Sequence, residues 1–149
     1  MSNWNGLPLR LEMISRTPAH VEHCQHKKIP DNGGPHWELL REIRWEFTLD
    51  DDIRLPFVVP AGWITDLTSI PWWVPFVHRE GLHTPASVLH DFLYAKPGHR
   101  KRSAVDELYL YAMKDNGVRR ITRMAIYRGV RLGGWKAWRR YRRKQRETK

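Results

Sequence analysis

Apolar and polar residues alternate along much of the first half of the chain. In residues 8–15, Leu9, Leu11 and Met13 alternate with Arg10 and Glu12, the two-residue period of a strand with one apolar face. Residues 37–49 repeat the pattern: Ile43, Trp45, Phe47 and Leu49 fall on one side, Glu42, Arg44, Glu46 and Thr48 on the other. That predicts one continuous strand. Asp50-Asp51-Asp52 reads as a hairpin tip, and residues 53–59 alternate again, with Ile53, Leu55, Phe57 and Val59 inward. Pro56 has no amide proton to give a ladder, which assigns this strand to an edge or a bulge. Pro60-Ala61-Gly62 turns the chain, and Trp63-Ile64-Thr65 is a short extended piece ending at Asp66.

Beyond residue 84 the period becomes helical. Thr84 suits an N-cap and Pro85 the first helical position. Val88 with Phe92 and Leu89 with Leu93 give this helix an apolar flank, and Lys96-Pro97-Gly98 stops it. A second helix is expected from 104 to about 114, with Ser103 as N-cap, Asp106 at a capping position and Gly117 as the stop. A third starts near 118 with Ile121, Ala125 and Leu132 on one face, and Gly133-Gly134 is expected to interrupt it. The last segment sets Trp135, Trp138 and Tyr141 among Lys136, Arg139, Arg140, Arg142 and Arg143. The expected fold is α+β within one domain, 1–149. A small antiparallel β-sheet (8–65) precedes a helical part (84–132) with two short antiparallel helices and a basic C-terminal arm (135–149).

Composition narrows the setting. The 149 residues suffice for one hydrophobic core, and eight Trp is high for that length. Cys24 is alone, so no intrachain disulfide can form and a reducing compartment is expected. No signal peptide and no apolar run of membrane-spanning length is evident, which points to a cytoplasm, or to delivery from one by a route that needs no signal peptide. The net charge of +10 is concentrated at one end. Residues 117–149 hold thirteen Lys/Arg against Glu147 alone, whereas residues 1–116 hold thirteen against fifteen acidic residues. Such an arm implies polyanionic partners, either an anionic phospholipid membrane or nucleic acid, the latter through residues 119–149.

Three loops carry chemistry-bearing residues. His20, His23, Cys24 and His26 have a spacing that a transition metal could use, but nothing there fixes four ligands, and a solvated loop is the better reading. Asp50-Asp51-Asp52 lacks the fuller ligand pattern of a calcium site. Trp72-Trp73 sits in an apolar, proline-containing loop that is either folded over the core or exposed to a lipid or protein partner.

The residues VPAGWITDLTSIP, then LHDFLY, then AVDELYLYAM resemble a family of uncharacterised bacteriophage and prophage proteins, over roughly residues 37–138. The order TD-x-x-S, HD-x-x-Y and a helix bearing Asp is also similar to the small bacterial and fungal phospholipases A2. That second resemblance implies His90 as general base, Asp106 as its orienter and Tyr94 as a partner of Asp106. It further implies Asp66 and Asp91 as calcium ligands. The chemistry is coherent: imidazole is basic near neutral pH, a carboxylate on its far nitrogen fixes the tautomer, and calcium polarises a carbonyl. The chain departs from those enzymes in having no disulfides and in its N-terminal strands. Trp72, Trp73, Trp135, Trp138, Arg139, Arg140, Arg142 and Arg143 would contact lipid or nucleic acid. Each site residue also has a plain structural reading: Asp106 as a cap, Asp66 as a turn former, His90 as a helix-contact histidine. Three functions follow as expectations: a calcium-dependent, phospholipase A2-like hydrolase, a non-catalytic virion, tail or assembly protein contacting other phage structural proteins, and a nucleic-acid-binding accessory protein.

Overall fold

The alternating segments form strands, distributed over two sheets. The computed structural model describes residues 2–4, 9–14, 36–48, 54–67, 81–96 and 101–147. Among the described residues the architecture is α+β, with small antiparallel N-terminal sheets followed by three helices. The chain divides into two compact units, one closing at Leu67 and the other running from residue 68 onward. His20, His23, Cys24 and His26, the Asp50-Asp51-Asp52 run and Trp72-Trp73 lie outside the described residues.

In the first unit, β1 (Ser2–Trp4), β4 (Ile43–Thr48) and β5 (Arg54–Val59) form one sheet with β4 central. The other contains β2 (Leu11–Ile14), β3 (His36–Leu39) and β6 (Ile64–Thr65), with β3 central. The single strand expected over 37–49 is therefore two, parted by a bend at Leu40 and Arg41. Alternation carried straight through would turn Arg41 inward between Leu39 and Ile43, both buried. The bend releases Arg41 and Leu40 to solvent. Backbone groups at the bend are satisfied by the flanking segments: Leu39 N–H donates to Trp63 O, Leu40 N–H to Arg10 O, and Gly62 N–H to Leu39 O. Across β4 and β5, Trp45 faces Phe57 and Phe47 faces Leu55. Trp45 stacks on Phe47, and Phe57 meets Phe47 edge-on, so the inward row is an aromatic cluster. Pro56 is exposed on the edge strand, as its missing donor requires.

The second unit holds α1 (Thr84–Ala95), α2 (Arg102–Asp115) and α3 (Arg120–Glu147), and each helix packs against the other two. Val88, Leu89 and Leu93 of α1 are buried, as are Val105, Leu108, Ala112 and Met113 of α2 and Ile126 of α3. The caps differ from expectation. The N-cap of α1 is His83, and the Thr84 hydroxyl accepts from Gly81 N–H in the preceding turn. The N-cap of α2 is Lys101, so Ser103 lies inside the first turn and Asp106 is not a capping residue. At the other end, Gly117 adopts φ 74°, and Val118 N–H reaches back to Met113 O, closing α2 where glycine predicted it. The interruption expected at Gly133-Gly134 does not occur: α3 is continuous to Glu147, and the arm expected from 135 is its last turns. Gly134 has a tertiary role, because a Cβ there would stand 2.8 Å from the Tyr94 hydroxyl. It lets α3 approach α1.

Candidate functional site

The Asp106 carboxylate, fully buried on α2, takes hydrogen bonds from side chains of α1 and α3. One oxygen, Oδ1, accepts from the Tyr94 hydroxyl at 2.5 Å and lies 3.2 Å from His90 Nε2. The other, Oδ2, accepts from Arg131 Nη1 at 2.9 Å, with Arg102 Nη1 at 3.7 Å. Helical spacing explains the α1 half: His90 and Tyr94 are one turn apart and present to the same side. Arg102 stands one turn before Asp106 on α2, while its guanidinium also donates to the carbonyls of Val130 and Arg131. Arg102 thus ties α2 to α3 twice.

Aromatic rings enclose the imidazole. Tyr109 stacks on His90 with centroids 4.5 Å apart, and Tyr94 is tilted against it at 4.2 Å. The Tyr109 hydroxyl is 2.8 Å from Ser87 Oγ, which donates to His83 O, so the Tyr109 hydroxyl is the donor of that pair. Tyr94 is in turn met edge-on by Trp138, over whose ring lies the Arg142 guanidinium. The second imidazole nitrogen, Nδ1, is 4.0 Å from Asp91 Oδ1.

Electrostatics assign the protons. Burial drives the His90 pKa below its ordinary value, against the opposing pull of the Asp106 bond. Burial alone would raise Asp106, but hydrogen bonds from His90, Tyr94 and Arg131 outweigh it and hold the carboxyl below the usual range. Burial and the bond to Asp106 push the Tyr94 phenol far up, so it stays a donor. At neutral pH the array is an anionic carboxylate, a neutral imidazole protonated on Nε2, and a neutral phenol. Nδ1 then carries the lone pair, which is the arrangement a general base requires.

Of the residues predicted from sequence, the structure brings His90, Tyr94 and Asp106 into one hydrogen-bonded group and places Asp91 beside it. Asp66 belongs to the first unit. It follows β6 in a turn whose side-chain acceptor is Thr65 Oγ1, bonded by Leu67 N–H at φ 58°. Among the described residues, no group of three or more His, Cys, Asp or Glu side chains is gathered as a metal site would be. The side chains described do not by themselves make a calcium site. Trp138 and Arg142 face α1, whereas Trp135, Arg139, Arg140 and Arg143 are exposed. Sequence reasoning missed Arg102, Tyr109 and Arg131. The first two stand four residues before and three after Asp106, a helical signal. Arg131 has no local one.

Fold and site together define an α+β protein whose helical half carries a His–Asp–Tyr–Arg network around one buried carboxylate. The chain belongs to the family of proteins of unknown function designated DUF1353, whose pattern it matches over residues 37–130. It is similar to the uncharacterized protein y4jT of Sinorhizobium fredii (strain NBRC 101917 / NGR234), with 32% identity over 98 residues. The match covers 64% of this chain and 29% of that protein, so the chain spans less than a third of its relative. No solved structure matches.

Proposed function

We propose that the helical unit carries a hydrolytic site of phospholipase A2 type, in a protein of phage or prophage origin. The observation that supports it is the buried His90–Asp106–Tyr94 array, with the imidazole bonded through Nε2 and its Nδ1 turned toward Asp91, 4.0 Å away. In this reading Nδ1 takes a proton from water while the water oxygen bonds to the acyl carbon of an ester. The acyl C–O bond then breaks, and the departing alkoxide takes the proton back from His90, leaving an acid and an alcohol. Asp106 holds the ring and stabilises the transient imidazolium, and Tyr94 fixes Asp106. No step is routed through calcium. The dependence that the resemblance implies is tested separately, by calcium titration of wild type, Asp91→Asn and Asp66→Asn.

The experiment is release of fatty acid from phospholipids of several head groups by the full chain, with and without calcium. Turnover by wild type, and none by a folded His90→Gln, is the expected result. A folded wild type inactive on every head group would overturn the reading.

A non-catalytic component of a phage particle, or a factor in its assembly, is the second reading. It is favoured by the way Asp106 is engaged from α1 and α3 at once, since such a network also serves to fasten three helices. Co-purification with particles from infected cells supports it. In either case the protein acts in the host cell or the particle.

A further inference from the structure

The helix face read from sequence as an apolar side, Ile121 and Leu132, is turned to solvent. Ile121 is 85% exposed, Leu132 71% and Trp135 44%. With exposed Arg128 and Arg139 they recur along α3 at steps of seven, four, three and four residues, which is one stripe of a helix. Cations surround the stripe: α3 holds eleven Lys/Arg and one acidic residue, Glu147. Lys136 and Arg139 lie against the Trp135 ring. Beside this face an open recess of about 770 Å³ is lined by Trp135, Trp138, Arg139, Arg142, Arg143 and Arg146, a cationic hollow of phosphate-group chemistry.

From this face we infer that α3 is a docking surface for an anionic lipid bilayer, on which it lies in the plane of the interface. Its 28 residues extend about 42 Å. The helix is nonetheless far too charged to cross a membrane, and among the described residues no helix is long and apolar enough to do so. In-plane seating satisfies both halves of the face. Ile121, Leu132 and Trp135 enter the acyl boundary, while Arg128, Lys136, Arg139 and Arg143 extend to lipid phosphates. The aliphatic residues decide between lipid and nucleic acid. A polynucleotide would use the charges and the Trp135 ring but has no partner for exposed Ile121 and Leu132. The inference stands apart from the hydrolase reading, because it needs no turnover.

The test is co-sedimentation of the full chain with vesicles of ether-linked phosphatidylcholine containing or lacking ether-linked phosphatidylglycerol, so that no acyl ester is present to cleave. Binding to the anionic vesicles only, with a blue shift of tryptophan emission, is expected. Leu132→Glu with Trp135→Glu should weaken it at least about tenfold, because both the apolar insertion and part of the net charge are lost. Leu132→Ser with Trp135→Ser, which keeps the charge, should still weaken it about tenfold. Circular dichroism should show both variants folded, since Leu132 is largely exposed and Trp135 about half so. Undiminished binding by the serine variant would overturn the inference, as would tighter binding to single-stranded or duplex nucleic acid than to the anionic vesicles. A wild type that ignores both vesicle types would overturn it too.

Discussion

Gly134 and the Tyr94 hydroxyl stand so close that a single added methyl group on α3 would meet the phenol oxygen at 2.8 Å. Tyr94 has no room to retreat, being buried and held by Asp106. Gly133, one position earlier, has nothing within 4 Å of where its Cβ would be. The two glycines therefore give opposite responses to one substitution. Gly133→Ala should raise stability by about 0.5–1 kcal/mol, the ordinary gain of alanine in a helix. Gly134→Ala should lower stability by about 1–3 kcal/mol through overpacking. Urea unfolding of both variants checks the pair, and equal effects would show that α3 does not rest on Tyr94.

Asp106→Asn removes the charge that both Arg102 and Arg131 face and replaces one of its two acceptor oxygens with an amide donor. Breaking a buried pair from the carboxylate side should cost about 2–4 kcal/mol, toward the lower end because water reaches both guanidiniums. A capping role would have predicted about 1 kcal/mol or less. Unfolding free energies of Asp106→Asn distinguish the two, and Ser103→Ala should be close to neutral because Ser103 is not the N-cap.

Stability should fall on acidification in two stages. Both His90 and Asp106 bind their protons less tightly in the folded state than in the unfolded chain, so the unfolded chain gains protons first as pH drops. The His90 contribution is complete above the ordinary imidazole value of 6.5 and is lost as pH falls through the lowered one. Asp106 adds a further loss below its ordinary value of 3.8. Denaturant unfolding at pH 7.5 and 5.5 should show a smaller drop for His90→Gln than for wild type. An identical drop would show that His90 is not held neutral.

Much of the α1 half of the site was legible because it is local. His90 and Tyr94 are one helical turn apart, and the next helix had one acidic residue placed to meet them. Arg131 was not legible, since only the packing of α3 brings it to Asp106. The alternation was read correctly in β4 and β5, and the continuity of 37–49 wrongly: Arg41 at an inward position was the signal for the bend. Gly133-Gly134 misled because glycine weakens a helix by its entropy, yet one of the pair is there for space. The exposed stripe was visible as a period, and periodicity alone does not say which side of a helix faces inward.

The division of labour between the two oxygens of Asp106 has a thermodynamic consequence. Oδ1 serves α1 and Oδ2 serves the guanidiniums, so the affinity of His90 for a proton and the seating of α3 are linked through one carboxylate. Drawing Arg131 away would leave the carboxylate's negative charge less offset, and the imidazole would become a stronger base. Reciprocally, a proton on His90 would compete with Arg131 for the same charge and loosen the helix that bears it. A displacement of α3 by about an ångström would then register at the imidazole as a change in basicity, with no residue of α1 having moved.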